Sequence, residues 1–223
     1  MMDDKIVLIC ATGRSGSTTT QRLLNTIPNS NICGENYGAI NSLLEFYIRI
    51  KTTTKDYVPG HHKPASLNEI VSKNVKPAWY NSYNYGQIVT MIKMMIINMF
   101  KNKESTTLWG FKEIRYVSGN INYIKFFKEL FPQTKVIIQI RENIEAQSKS
   151  GWFKGDKNAE LFLKKNTKEL IDFALQNKEW CFLTSFERIF DRNILKSMFL
   201  FIGCGENYDE NKITEILNNN IKD

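Results

Sequence analysis

Residues 12–19, Thr-Gly-Arg-Ser-Gly-Ser-Thr-Thr, are of the types that hold a phosphate. Gly13 and Gly16 permit a tight turn and a close approach of the backbone to a ligand. The amides of Ser15, Gly16, Ser17, Thr18 and Thr19 can then point inward, at the start of a helix whose N-terminus adds positive potential. Arg14 contributes forked donors that grip anionic oxygens. A plain helix cap needs only Ser17 or Thr18, so the arginine and the two glycines ask for a further purpose, and anion binding supplies it. The loop departs from a Walker A sequence. Ala11 stands at the place of the first glycine and Gly16-Ser17-Thr18 at that of Gly-Lys-Ser/Thr, so the lysine that reaches the β- and γ-phosphates is missing. Other apolar runs lead to Lys112, Arg141 and Ser185 instead of a carboxylate that would manage magnesium. The pattern suits transfer from a nucleotide donor whose charge is neutralised by side chains, with no metal required.

Such a loop needs a strand before it and a helix after it. Four short apolar runs, at residues 6–11, 107–111, 135–140 and 180–184, are too short for core helices, and each is followed by a segment that can be helical. That alternation predicts an α/β fold of three layers around a central, mainly parallel sheet, with a P-loop-like turn after its first strand. Helices are predicted over 18–27 and 121–131, each stopped by a proline (Pro28, Pro132), and over 143–152, 159–175, 194–201 and 210–221. The length of 223 residues is that of one domain spanning 1–223. Within it, segment 52–86 carries Pro59, Pro64 and Pro77 among Tyr57, His61, His62, Trp79 and Tyr80, and is expected to be an irregular lid or acceptor region, or an aromatic satellite core.

The formal charge of +7, from 30 Lys and Arg against 23 Asp and Glu, favours an anionic partner or a solubilising surface. Nucleic acid is not expected, because the lysines are scattered and not gathered in a stripe. Two acids precede the first strand where a signal peptide needs positive charge, and the longest apolar stretch, 88–100, is too short to span a bilayer, so a soluble cytoplasmic chain without membrane insertion is expected. The four cysteines have no metal-ligand spacing and are expected to pack as thiols.

Taken together, the motifs resemble the sulfotransferases that use 3′-phosphoadenosine 5′-phosphosulfate. Arg14-Ser-Gly-Ser-Thr18 is similar to the family's 5′-phosphosulfate loop. Gly110-Phe-Lys-Glu-Ile-Arg115 looks like its central strand with a catalytic lysine, and Val136-Ile-Ile-Gln-Ile-Arg-Glu-Asn143 followed by Ser150-Gly-Trp152 looks like its 3′-phosphate motif. Ser185-Phe-Glu-Arg-Ile-Phe190 and Phe199-Leu-Phe-Ile-Gly203 resemble later family segments, so the likeness touches nearly the whole chain. The histidine base of the cytosolic small-molecule enzymes would fall at Ile114, whereas Glu35 matches the region where tyrosyl-protein and several carbohydrate or bacterial members place a glutamate.

The resemblance implies a donor of 3′-phosphoadenosine 5′-phosphosulfate, released as adenosine 3′,5′-bisphosphate, and a hydroxyl acceptor that is a carbohydrate, phenol or peptide. Arg14 and Lys112 would neutralise charge on the transferred group, and Glu35 would take the acceptor's proton. Arg141 and a serine would hold the 3′-phosphate; Ser148 and Ser150 both qualify, with the Ser-Gly-Trp context favouring Ser150. Among alternatives, Glu35 caps the helix beginning near Tyr37, Lys112 is a solvated strand-end cation, and His61 or His62 is a substitute base. Glu113 is expected to orient Arg115 or Arg141, and Trp152 to stack on adenine or acceptor or to pack in the core. Rival functions are a divergent nucleotide or nucleoside kinase, and a non-catalytic phosphoester- or nucleic-acid-binding module. The module would not need Glu35 and Lys112 to converge.

Overall fold

The computed structural model describes residues 4–54, 66–72 and 83–219. In chain order the elements are β1 (Lys5–Ala11), α1 (Ser17–Leu24), β2 (Ser30–Cys33), α2 (Ala39–Thr54), α3 (Leu67–Val71), α4 (Tyr85–Phe100), β3 (Leu108–Glu113), α5 (Asn122–Leu130), β4 (Lys135–Ile140), α6 (Ile144–Ser148), α7 (Ala159–Gln176), β5 (Cys181–Ser185), α8 (Arg192–Phe201) and α9 (Glu210–Asn218). The five strands form one sheet in the order β2-β3-β1-β4-β5, and every neighbouring pair is parallel. The α/β class and the three-layer architecture are therefore as the sequence predicts.

The chain forms two compact units. One comprises Met1–Tyr37 and Phe100–Asp223 and contains the whole sheet; the other is Gly38–Met99. In the sheet-bearing unit β1 lies in the middle, buried on both faces, which is why it reads as one apolar run without alternation. Val7 and Ile9 face a core shared with Leu23, Leu24 and Ile27 after β1, Leu195 and Phe199 of α8, and Ile213 of α9. The opposite face is aromatic: Phe111 stacks on Phe100 at 4.6 Å and meets Phe127 of α5 edge-on at 5.6 Å, and Trp109 meets Phe131 edge-on at 5.6 Å. Each such buried side chain contributes about 1.5–3 kcal/mol from desolvation. All four cysteines are free, and burial pushes the Cys181 thiol up to about 12 against the lowering effect of the Lys128 charge.

Register sets up the site. Cys10 lies level with Glu113 of β3 and with Ile138 of β4, so the three strands end together at one edge of the sheet. The chain leaves β1 toward β2 and β3 on one side, and β4 and β5 lie on the other. The crevice at that carboxyl edge, where the order switches, is where open α/β sheets bind ligands.

Three local predictions change. The strand β2 is not legible as an apolar run, because Ser30-Asn-Ile-Cys33 is a short edge strand with only Ile32 fully buried. Helix α1 stops at Leu24, not at residue 27. Residues 25–27 tighten into three-residue turns, and the Asn25 side chain both donates to the Ile32 carbonyl and accepts from its amide, at 2.9 Å each. The helix predicted over 143–152 is broken into α6 and a 3-10 turn, Gly151–Phe153, because Gly151 adopts φ 57°, and a Cβ there would lie 2.7 Å from Arg14 Nε.

In the second unit, residues 52–54 complete α2, which buries Ile40, Leu44 and Tyr47, and Ser66 opens α3 with a capping box closed by Glu69. The α4 residues Ile92 and Ile96 are buried. Tyr57, His61, His62, Trp79, Tyr80 and the three prolines of segment 52–86 lie outside the described residues. No helix among the described residues is long and apolar enough to cross a membrane.

Candidate active site

The loop between β1 and α1 is held by side chains from β4 and α6, and not by its own sequence alone. Gln139, fully buried on β4, donates to the Ser15 carbonyl at 3.1 Å and accepts from Thr20 Oγ1 at 2.7 Å. Gln147 of α6, equally buried, donates to Thr12 Oγ1 at 2.9 Å and to the Gly13 carbonyl at 2.7 Å. The Ser15 hydroxyl turns back onto the Thr12 carbonyl at 2.7 Å, and the Thr19 amide closes on the Gly16 carbonyl at 2.9 Å. Gly16 caps α1 at φ 77°, and a Cβ on it would lie 2.2 Å from the Phe186 ring; one on Gly13 would lie 2.4 Å from Trp152. The two glycines thus allow aromatic rings to sit directly against the loop backbone.

A cavity of about 410 Å³ opens beside this loop, within the range that takes a small ligand or cofactor. Gly13, Arg14, Gly16, Ser17, Thr18 and Thr19 line it from the loop, and Glu35, Lys112, Arg141, Ser150 and Trp152 from elsewhere. Ser150 accepts from Arg14 Nε at 3.0 Å. Arg141 follows β4, donates to the Arg14 carbonyl at 3.3 Å and lies 5.1 Å over the Phe186 ring, while its Nε is buried with no hydrogen-bond partner. An unpaired buried guanidinium nitrogen at a cavity wall is a group prepared for an anion. The Ser148 hydroxyl instead turns onto the Glu145 carbonyl of its own helix at 2.9 Å. Trp152 is 63% exposed, so the core-packing alternative for it fails; its neighbour Phe153 is the buried one.

The turn after Arg141 is fastened by Glu187, whose carboxylate accepts from the amides of Glu142 (3.0 Å) and Asn143 (3.1 Å). Burial pushes the Glu187 carboxyl up, but those amides and the Arg141 charge outweigh it and hold the group below its ordinary 4.5. A carboxyl lowered on folding stabilises the native state above the unfolded value and loses that contribution as pH falls through the folded one. Glu187→Gln is therefore expected to lower the unfolding free energy read from urea denaturation at pH 7 by a small amount, below about 1 kcal/mol because water screens the site. The gap from the parent should shrink as pH falls below 4.5; a gap independent of pH would refute the linkage.

Glu35 sits in the loop after β2, and α2 begins only at Ala39 and not near Tyr37, so Glu35 does not cap that helix. Its Oε1 accepts from Lys112 Nζ at 2.6 Å and its Oε2 from Arg115 Nη1 at 3.2 Å. The same Arg115 nitrogen donates to Glu113 Oε1 at 2.7 Å. Lys112 is 7% exposed, so it is not a solvated strand-end cation, and Glu113 pairs with Arg115 and not with Arg141. Desolvation opposes the charge on Arg115, but Glu113 and Glu35 overcome it and raise the guanidinium above its ordinary value.

Sequence reasoning placed eleven residues in one site; Arg14, Gly16, Ser17, Thr18, Thr19, Glu35, Lys112, Arg141 and Ser150 line the cavity, whereas Ser15, fully buried with its hydroxyl on the Thr12 carbonyl, and Ser148 do not. It missed Gln139, Gln147 and the bridging role of Arg115. A glutamine inside the apolar run 135–140 was the available signal, since a buried polar group must find partners. Among the described residues no group of three or more His, Cys, Asp or Glu could hold a metal ion.

No protein-family model matches the chain, and no curated protein matches it by sequence. Solved structures do share its fold. It is similar to the sulfotransferase domain from the curacin biosynthetic pathway, with a TM-score of 0.55 and 16% identity over 96% of this chain and 77% of that one. It is also similar to a sulfotransferase from Alicyclobacillus acidocaldarius, with a TM-score of 0.51 and 11% identity over 96% of this chain and 89% of that one. At these identities the likeness establishes a sulfotransferase-like fold.

Proposed function

We propose that the chain is a sulfotransferase that uses 3′-phosphoadenosine 5′-phosphosulfate and a hydroxyl acceptor, with Glu35 as general base. The observation that carries this reading is the convergence of Glu35 and Lys112, 2.6 Å apart, on the cavity lined by Arg14, Arg141 and Ser150. A module that only bound phosphoesters would have no use for a carboxylate and a buried lysine there.

The residues suit the donor's charge. The loop from Gly13 to Thr19 with Arg14 would take the 5′-phosphosulfate, and Arg141 with its unpaired Nε, beside Ser150, the 3′-phosphate. When bound, the donor supplies a sulfuryl group on a phosphate leaving group, so that the acceptor oxygen bonds to sulfur while the bond to the bridging oxygen breaks and that oxygen keeps the electron pair. Lys112 and Arg14 would balance charge on the group in flight and on the departing phosphate. Glu35 would accept the acceptor's hydroxyl proton, a role typically worth ~10²–10⁴-fold.

Calorimetric titration tests the reading. Adenosine 3′,5′-bisphosphate is expected to bind in preference to ATP with magnesium, and Arg141→Ala to weaken it by ~10–100-fold, the effect of losing a charge-assisted contact worth about 1.5–3 kcal/mol. Strong magnesium-ATP binding with none of the bisphosphate would reject it in favour of a kinase.

A further inference from the structure

Both oxygens of Glu35 are occupied, Oε1 by Lys112 and Oε2 by Arg115. A carboxylate so engaged has its proton-accepting oxygen covered by an ammonium. The two cations differ in how firmly they are placed. Arg115 is tied to Glu113, which is fully buried and whose Oε1 also accepts from the amides of Ile114 at 2.9 Å and Arg115 at 3.2 Å. Its guanidinium also lies 4.9 Å over the Tyr37 ring. Lys112 ends in a point charge on a rotatable stem and can be re-aimed within the cavity it lines; a planar guanidinium shared between two carboxylates cannot.

We propose that Arg115, anchored on Glu113, is the positioning residue for Glu35, and that Lys112 masks Glu35 until the donor's sulfonate draws the lysine away. This rests on the sulfotransferase reading above and adds an order to it. Glu35 is held in place on its Arg115 side throughout, and its Oε1 becomes free to take a proton only once an anion has replaced it as the partner of Lys112. An acceptor arriving first finds no base. The four charges, two positive and two negative, balance before the donor enters, and the sulfonate takes over one of those pairings.

The consequence is a competition measurable by binding alone. In calorimetry with 3′-phosphoadenosine 5′-phosphosulfate, Glu35→Gln is expected to tighten binding by about tenfold, because Lys112 no longer has to leave a carboxylate. The bisphosphate, which lacks the sulfonate, should change little. Arg115→Met, which removes the bridge to both carboxylates, should weaken the phosphosulfate severalfold by leaving Glu35 to Lys112, and this effect should shrink in the Glu35→Gln background. Thermal melting identifies any variant that fails to fold, and the Glu35→Gln arm alone still decides. If the parent protein binds both nucleotides and Glu35→Gln leaves phosphosulfate affinity unchanged or weaker, the masking is overturned while the sulfotransferase reading stands. If the parent binds neither, that reading falls and the masking with it.

Discussion

Glu35→Gln is expected to slow sulfuryl transfer by ~10²–10⁴-fold, the usual worth of a general base, while leaving the fold intact. Glutamine keeps the shape and can still accept from Lys112, and the Glu35 side chain, 27% exposed, is not part of the core. The measurement is release of adenosine 3′,5′-bisphosphate from the phosphosulfate donor, with a hydroxyl acceptor or with water in its place. Slower turnover together with tighter donor binding would separate a base from a donor-binding residue, because a residue that only bound donor would lose affinity. A rate equal to that of the parent would move the base elsewhere, with His61 and His62 the first to test.

Gly110→Ala is expected to destabilise the protein by at least about 3 kcal/mol, at the upper end of what overpacking costs. Gly110 lies in the middle of β3, paired with Val7 of the central strand, and a Cβ on it would sit 1.8 Å from the Val7 carbonyl oxygen. The obstacle is backbone in the most buried strand of the sheet, so no rotamer change relieves it, and β1 and β3 would have to part. Urea denaturation followed by circular dichroism measures the loss; a midpoint within error of the parent would show that the pair of strands can shift at little cost. Since β1 and β3 carry the loop of residues 12–16 and Lys112, the donor binding proposed above should weaken in the same variant.

The parts of the site that could be read in advance are those whose chemistry is local. Gly13, Arg14, Gly16 and the hydroxyls of residues 17–19 sit within one turn of each other, and their purpose follows from a strand before and a helix after. Arg141 was identifiable because an apolar run of strand length delivers it to an edge. Gln139 and Gln147 escaped notice because the partners they satisfy, Ser15, Thr20, Thr12 and Gly13, lie more than a hundred residues away. The end of α1 and the break at Gly151 were misjudged for a related reason. Asn25 leaves the helix to pair with Ile32, and Gly151 turns where Arg14 lies against it, and helical periodicity is blind to both.

By itself, then, the order of residues determined the α/β class, the parallel sheet and the glycine-bearing turn between β1 and α1, because these depend on runs of apolar residues and on turn chemistry within a few positions. Only the tertiary structure decided what Glu35 touches. Its distance from Lys112 and Arg115 depends on β2 and β3 lying side by side in register, with Ser30 level with Leu108. That pairing joins residues 77 and 80 positions apart, and such closures are set by the packing of the whole sheet and not by any local pattern.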